Sequence, residues 1–344
     1  MNVGSEPIEL SLDVPFRIAR GTTETTENVV VSIEYGDETG YGAAAPAGRY
    51  GETTGTVEAL LPELLEAVER VGDPHARREI GERMSGIVGA NPAAKAAVDL
   101  ALFDLAGKLL EEPVYRLLGC SADPDACPPT SFTIGIDETA AMADRAREAA
   151  DAGYPVLKLK LGTDRDLDIV DAVREAAPEA TIRVDANEAW RPKEAVEKCH
   201  NLDGFDIEFV EQPVPAADPE GLRYVYERSP LPIAADESCR TAADVPAIAD
   251  RCDIANLKLM KTGGLTPALE LIHAARAHDL EVMCGCMIET NASIAAATHL
   301  LPMLDYADLD GSLLLAADPY EGVPVSEGHF DLGAIDRGTG ARPK

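Results

Sequence analysis

A short apolar segment in the middle of the chain carries two lysines, two positions apart. Residues 154–162 read YPVLKLKLG, with Lys158 and Lys160 set among hydrophobic residues. Side chains at positions i and i+2 of a β-strand point to the same face, so the two ammonium groups are aimed together. Charge on one face of an otherwise apolar strand indicates either a solvated edge strand or a functional site.

Three carboxylates and another lysine follow on four later strand-like segments. Asp185 lies in IRVDAN, Glu211 in IEFVEQP, Asp236 in IAADES and Lys258 in IANLKLM. From 185 to 211, 236 and 258 the steps are 26, 25 and 22 residues, each the length of one strand and one helix. One Asp at a strand end is more often a helix cap, but three in register favour a shared site. Carboxylates gathered in this way need a cation, and an all-oxygen set favours Mg²⁺, with Mn²⁺ as the alternative ion.

The order of these residues along the chain indicates a proton transfer. Lys160 precedes the three carboxylates and Lys258 follows them, so in a closed barrel the two lysines would lie across the mouth from each other. Two bases flanking one metal ion suit removal of a proton α to a carboxylate-type carbon and its return from the opposite face. Lys158 would lower the pKa of Lys160 by bringing a second ammonium group close to it.

The order of the predicted strands and helices that must hold these residues changes near residue 119. Before it, strands come first and helices follow at 56–70, 74–88 and 93–110, which indicates an α+β arrangement. After the Gly/Pro-rich break at 119–129, eight short apolar runs from TSFTIG to ADLDG alternate with helical patterns. The rhythm predicts an α/β fold with a parallel TIM-type barrel. An open doubly wound sheet is the alternative, but no glycine-rich fingerprint follows the early strands.

Composition excludes several classes of partner. The 344 residues carry 61 acidic and 30 basic side chains, for a net charge of −31, which argues against nucleic acid and anionic membranes. The N-terminus has neither a basic nor an apolar leader segment, no apolar run approaches membrane-spanning length, and the seven cysteines form no CxxC pair. We expect a cytoplasmic protein, with an acidic surface suited to high salt as a hypothesis.

The motifs KLK at 158–160, DAN at 185–187, EQP at 211–213, ADES at 235–238 and LKLMKTGGL at 257–265 together resemble the enolase superfamily, in its muconate lactonizing enzyme subgroup. The resemblance covers nearly the whole chain. It implies an α+β capping domain at 1–118, a modified (β/α)₇β barrel at 119–318 and a C-terminal segment at 319–344 that returns to the cap.

The same resemblance implies roles for individual residues. Asp185, Glu211 and Asp236 would be the Mg²⁺ ligands, Lys160 and Lys258 the acid/base pair, and Lys158 the residue that tunes Lys160; a Lys base with Mg²⁺ is general for this superfamily. Asn187, Gln212 and Glu237 would support the ligands from outside. The mandelate racemase branch places a His on the seventh strand, whereas the corresponding MCGCMIET has none, so Lys258 favours the lysine/lysine branch.

The reaction must be inferred from the residues that would bind the substrate, since proteins with the same fold catalyse several different reactions. In ADLDGSLLL, Asp308 and Asp310 could hold a cationic amino group by charge-assisted hydrogen bonds, and the motif is similar to that of the dipeptide epimerases. GCMIET at 285–290, with Cys286 and Met287, is also similar to theirs. The alternative for the two aspartates is a turn-capping role.

We therefore expect epimerisation of the C-terminal residue of a dipeptide, with L-Ala-L-Glu as the default substrate. Arg20, together with Arg17 and Arg49, is a candidate to meet an acidic side chain. Two alternatives stay open on the same scaffold. One is an o-succinylbenzoate synthase or muconate-type cycloisomerase, whose dianionic substrate would be repelled by an aspartate pair. The other is a non-catalytic, metal-dependent binding protein. A homo-oligomer is also expected.

Overall fold

The N-terminal part of the chain is a three-stranded antiparallel sheet covered by helices. The computed structural model describes residues 1–344. The strands are β1 (Asn2–Ile18), β2 (Gly21–Tyr35) and β3 (Glu38–Ala44), paired in that order. The helices are α1 (Thr54–Val71), α2 (Arg77–Ile87), α3 (Pro92–Leu110) and α4 (Val114–Leu117). The predicted α+β arrangement of this part is confirmed.

Helix α3 is the centre of this layer. Its residues from Ala96 to Gly107 are buried on every side of the helix, as expected for a helix without a polar face. Strand β3 lies directly on it through two glycines, because a Cβ atom at Gly42 would stand 2.3 Å from the carbonyl oxygen of Ala97 and one at Gly40 would stand 2.1 Å from that of Ala101. The sheet and the helix therefore approach closely only where there is no side chain.

Gly42→Ala is expected to destabilise the chain by about 1–3 kcal/mol, since the added methyl group meets rigid helix backbone rather than a flexible side chain. Gly81→Ala is the matched control, because Gly81 lies inside α2 with no atom within 4 Å of an added Cβ. This control should gain up to about 1 kcal/mol from helix propensity. Urea denaturation of both variants measures the difference, and equal stabilities would contradict the packing argument.

The rest of the fold is a barrel of eight parallel strands. They are β4 (Phe132–Ile134), β5 (Val156–Lys160), β6 (Thr181–Asp185), β7 (Ile207–Glu211), β8 (Ile233–Ala235), β9 (Ile254–Lys258), β10 (Glu281–Gly285) and β11 (Tyr306–Asp308). Neighbours in the sheet are neighbours in sequence, without a reversal of order. Closure is visible between the outermost strands, where the Ser131 amide donates to the Ala307 carbonyl at 3.1 Å. The predicted barrel is confirmed, and the open doubly wound sheet is wrong.

Helices connect the barrel strands and cover their outer faces. They are α5 (Thr139–Asp151), α6 (Asp166–Ala176), α7 (Pro192–Leu202), α8 (Pro219–Tyr226), α9 (Val245–Ile248), α10 (Leu259–Thr262), α11 (Leu265–Ala277) and α12 (Asn291–Thr298). Seven strand-to-strand connections contain a helix, which gives the expected (β/α)₇β order. No helix in the chain is long and apolar enough to cross a membrane.

The C-terminal residues return to the N-terminal layer. Strand β12 (Tyr320–Glu321) pairs with β15 (Arg342–Pro343), and β13 (Val325–Ser326) pairs with β14 (His329–Phe330). Asp104 of α3 accepts hydrogen bonds from the amide and the hydroxyl of Thr339, at 2.8 and 2.9 Å. The predicted domain boundaries at residues 118 and 318, and the predicted C-terminal segment at 319–344, stay predictions.

Candidate active site

Five consecutive barrel strands present an ionisable residue at their carboxyl ends. Strands β5, β6, β7 and β9 end at Lys160, Asp185, Glu211 and Lys258, and Asp236 directly follows β8. The register pairs Lys160 with Asp185 and Asp185 with Glu211, so these side chains lie at the same level of the barrel. The sequence spacing therefore brings the predicted residues to one mouth, where barrel active sites form.

Alternation along β5 explains the direction of its two lysines. All five residues of β5 are buried, and Leu157 and Leu159 belong to the hydrophobic core. Lys158 and Lys160, which alternate with these leucines, point the other way, into the barrel. Only Lys160 of the pair lines the cavity at the mouth, and Lys258 lines the same cavity from β9.

Lys158 lies deeper and is surrounded by carboxylates. Its Nζ atom is 2.6 Å from Asp308, 2.7 Å from Glu211 and 3.4 Å from Asp185, and its side chain is fully buried. Burial alone would lower the pKa of Lys158, but the charges of Asp308, Glu211 and Asp185 raise it well above the ordinary 10.5. Lys158 is therefore a fixed cation below the mouth, and its predicted influence on Lys160 stays a prediction.

The three predicted metal ligands share one arrangement. One oxygen of each carboxylate is held by a donor of the chain: Asp185 Oδ1 by the Asn187 amide at 2.8 Å, Glu211 Oε1 by Asn256 Nδ2 at 2.8 Å, and Asp236 Oδ1 by Lys261 Nζ at 2.6 Å. The other oxygen faces an ammonium group: Lys160 at 2.6 Å for Asp185, Lys158 at 2.7 Å for Glu211, and Lys258 at 2.8 Å for Asp236.

This arrangement fits a hard divalent cation. As the side chains stand, no three of the acidic, His or Cys side chains are grouped to hold a metal ion, since ammonium groups lie among the carboxylates. The buried Glu211 Oε2 makes no hydrogen bond, since its 2.7 Å contact with Lys158 is an ion pair without hydrogen-bond geometry. Burial and the charge of Asp185 raise the pKa of Glu211, so the cluster gains from more positive charge. Against the effect of burial, neighbouring lysines lower the pKa of Asp185 and Asp236, so these two carboxylates stay ionised. All three residues offer carboxylate oxygens, the donors that Mg²⁺ favours.

The three supporting residues that the sequence indicated contact the ligands or their loops. Asn187 adds a second hydrogen bond to Asp185 through Nδ2, at 3.1 Å. Gln212 Oε1 accepts the backbone amides of Asp236 and Ser238, both at 3.0 Å, and so shapes the loop after β8. Glu237 lines the cavity, and burial followed by the charge of Asp236 raises its pKa to about 7.

The cavity between the N-terminal layer and the barrel mouth has a volume of about 310 Å³. All five predicted substrate-binding residues line it: Arg20, Cys286, Met287, Asp308 and Asp310. The two aspartates differ in their contacts. Asp308 accepts hydrogen bonds from the Ser131 hydroxyl at 2.5 Å and from Lys158 Nζ at 2.6 Å. Asp310 accepts one hydrogen bond, from the backbone amide of Thr133 at 2.6 Å. Asp310 is therefore the carboxylate with more capacity left for a ligand.

The arginine predicted to meet an acidic substrate side chain already has partners. Arg20 is 2.8 Å from Glu237 and 3.2 Å from Glu188, and it donates to the Asn187 carbonyl at 2.8 Å. Arg49 binds Glu188 through two nitrogens, at 2.9 and 2.6 Å. These pairs join two loops of the N-terminal layer to the barrel. Arg17, the third candidate, does not line the cavity.

Sequence reasoning missed several residues of the site. Lys261, Asn256 and Ser131 hold charged side chains of the mouth, and Tyr50 lines the cavity beside Lys258. Lys261 stands in the LKLMKTGGL motif, three positions after Lys258, so its spacing was available as a signal. Tyr50 carries no such signal, because it reaches the mouth from a distant loop of the N-terminal layer.

Comparison with known proteins gives consistent matches along the chain. Residues 6–119 match the family described as mandelate racemase / muconate lactonizing enzyme, N-terminal domain, and residues 141–342 match the family described as enolase C-terminal domain-like. An L-Ala-D/L-Glu epimerase of Bacteroides thetaiotaomicron is 38% identical over 95% of this chain and 84% of that protein. A hydrophobic dipeptide epimerase of Enterococcus faecalis is 39% identical over 91% of both chains.

Among solved structures, the dipeptide epimerase from Enterococcus faecalis complexed with Mg and the dipeptide L-Leu-L-Tyr superimposes with a TM-score of 0.93. It shares 36% sequence identity, and the match covers 98% of both chains. Likeness of this extent includes both the N-terminal layer and the barrel.

Proposed function

The chain belongs to the mandelate racemase and muconate lactonizing enzyme family of the enolase superfamily, and from that premise we propose that it is a Mg²⁺-dependent dipeptide epimerase. The reaction inverts the α-carbon of the C-terminal residue of a dipeptide. One observation carries the proposal: Lys160 and Lys258 line one cavity from strands with three other strands between them in either direction around the barrel. A substrate carbon between them is exposed to a base on each face.

The chain's own residues divide the work. One lysine, in its neutral form, takes the α-proton, and the ammonium form of the other returns a proton to the opposite face, which inverts the centre. Asp185, Glu211 and Asp236 would hold Mg²⁺, or Mn²⁺ as an alternative ion. When bound, such an ion would supply positive charge against the negative charge that develops on the substrate carboxylate. Asp310 would accept the free ammonium group of the dipeptide.

The relatives support the substrate class and leave the dipeptide open. Proteins of similar identity to this chain are named for L-Ala-D/L-Glu and for hydrophobic dipeptides. L-Ala-L-Glu stays the default substrate here, and Arg20, which lines the cavity, is the proposed partner of its acidic side chain. Since Arg20 is paired with Glu237 and Glu188, an acidic side chain would have to compete with them.

Two alternatives predict different behaviour. A cycloisomerase or o-succinylbenzoate synthase takes a dianionic substrate, and the buried Asp308 and Asp310 in the cavity disfavour it. A non-catalytic binding protein needs the carboxylates but not two lysines at the cavity. Neither alternative has an observation in its favour, since both lysines and both aspartates line the same space.

The test is a panel of L,L-dipeptides incubated with the enzyme and Mg²⁺ in D₂O. We expect deuterium at one α-carbon, appearance of the L,D epimer, and loss of both when Mg²⁺ is chelated. The assay reads mass shift and chromatographic retention of each dipeptide. No exchange in any dipeptide, with the folded chain and either Mg²⁺ or Mn²⁺ present, would contradict the proposal. Turnover of a dianionic ring substrate without dipeptide exchange would favour the cycloisomerase alternative.

A further inference from the structure

Asp236 lies between two lysines that hold different oxygens of its carboxylate. Lys258 Nζ is 2.8 Å from Oδ2, and Lys261 Nζ is 2.6 Å from Oδ1. The two lysines are three positions apart, and α10 begins directly after Lys258. One helical turn therefore brings the second lysine to the far side of the same carboxylate.

The surroundings of Lys261 differ from those of a residue that moves protons. Its side chain is fully buried and does not line the cavity. Besides Asp236 Oδ1, Nζ contacts the carbonyl oxygens of Asp236 at 2.6 Å, Cys239 at 2.8 Å and Asn256 at 2.8 Å. An ammonium group has three N–H bonds, so four acceptors saturate it. Lys261 is thus fixed by the backbone of the loop after β8 and of strand β9.

Lys258, unlike Lys261, lines the cavity. In the proposed reaction it has to move away from Asp236 when it exchanges a proton with the substrate. Asp236 then loses the partner of Oδ2 while remaining buried, so that only the contact of Oδ1 still fixes the orientation of its carboxylate. A contact that does not change during turnover is needed on the other oxygen.

We propose that Lys261 is a positioning residue that holds Asp236 by Oδ1 and so leaves Oδ2 as the single oxygen offered to the cation. The proposal rests on the Mg²⁺ site of the proposed function. It extends a pattern that the other two carboxylates share, in which a donor of the chain holds one oxygen and the second oxygen faces an ammonium group. Lys261 differs from those donors, Asn187 and Asn256, because it also brings a positive charge.

The test compares Lys261→Met with Lys198→Met. Lys198 is the matched control, since it is also largely buried, is 2.6 Å from the buried Asp166 and contacts a backbone carbonyl, that of Thr163. Lys198 is not among the cavity residues.

Isothermal titration calorimetry of the substrate-free chain gives the Kd for Mg²⁺, and thermal melting without Mg²⁺ gives the structural effect. Lys261→Met is expected to weaken Mg²⁺ binding by about 10- to 100-fold, as loss of a residue supporting a ligand does. Lys198→Met should lower the melting temperature and leave the Kd within twofold.

The outcomes separate the possibilities. A Lys261→Met chain that melts lower but binds Mg²⁺ like the wild type would make Lys261 a structural residue only and overturn the proposal. If the Lys261→Met variant does not fold, Lys261→Gln is titrated with Mg²⁺ instead, since Gln keeps an N–H donor but carries no charge. Wild-type Mg²⁺ affinity in Lys261→Gln would overturn the proposal in the same way. A wild-type chain that binds neither Mg²⁺ nor Mn²⁺ would also overturn it. A wild-type chain that binds Mg²⁺ but epimerises no dipeptide would contradict only the proposed function.

Discussion

Replacing Lys160 or Lys258 by Met is expected to slow conversion of one dipeptide epimer into the other by about 10²- to 10⁴-fold in kcat. Each variant keeps one base on one face of the substrate carbon, because the lysines lie on opposite sides of the barrel. Each should therefore still exchange the α-proton of one epimer with solvent while inverting neither. The epimer that exchanges should be the opposite one in the two variants.

This pattern is more informative than loss of activity alone. Deuterium incorporation from D₂O, measured separately for the L,L and L,D dipeptides, gives the exchange rates. Lys193→Met is the control, because Lys193 is exposed on α7 and lies outside the cavity. Exchange of both epimers by the same single-lysine variant would contradict the two-base arrangement. Wild-type epimerisation by both variants would leave the lysines without a catalytic role.

Replacing Asp310 by Asn is expected to raise KM for dipeptides by about 10- to 100-fold, the value of a hydrogen bond to a charged group. Asn keeps the shape of the side chain and can still accept the Thr133 amide through its oxygen. What is lost is the negative charge that would face the ammonium group. An N-acetylated dipeptide, which has no ammonium group, is the control substrate, and its KM should be nearly the same in the variant and the wild type. Equal losses for both substrates would contradict the assignment.

Asp310 also predicts a pH dependence. Burial, followed by the charge of Asp308, raises the pKa of Asp310 from the ordinary 3.8 to about 7. Below pH 7 the substrate-free enzyme holds this group protonated, so kcat/KM for dipeptides should fall as the pH decreases through 7. In Asp310→Asn this inflection should be absent. An unchanged inflection in the variant would assign it to another group.

The same shift has a consequence for stability. Because the pKa of Asp310 is higher in the folded chain, the native state binds the proton more tightly than the unfolded state does. Its contribution to stability is fully present below pH 3.8 and is lost as the pH rises to about 7. Above that range the ionised group lies buried beside Asp308, and the ammonium group of a dipeptide would offset the repulsion. If Asp310 binds the substrate as proposed, its ionised carboxylate therefore costs stability until the substrate binds.

The sequence by itself determined the barrel and the charged residues that strands β5 to β9 bring to its mouth. Strand periodicity gave the direction of Lys158 and Lys160, and steps of one strand and one helix brought Asp185, Glu211 and Asp236 to the same end. The first inference depends only on neighbouring residues of one strand, and the second on the repeated unit of one strand and one helix. A parallel barrel places equivalent positions of successive units next to each other. Periodic information in the chain is therefore enough for them.

Only the tertiary structure decided which partner each charged group takes. Asp308 lies 150 residues from Lys158 in sequence, yet the two form an ion pair of 2.6 Å below the mouth, and this contact leaves Asp310 as the more available carboxylate. Likewise, Arg20 meets Glu188 and Glu237 because a loop of the N-terminal layer lies over the barrel. Such pairings depend on distances of a few ångströms between side chains from separate elements, and spacing along one sequence carries no record of them.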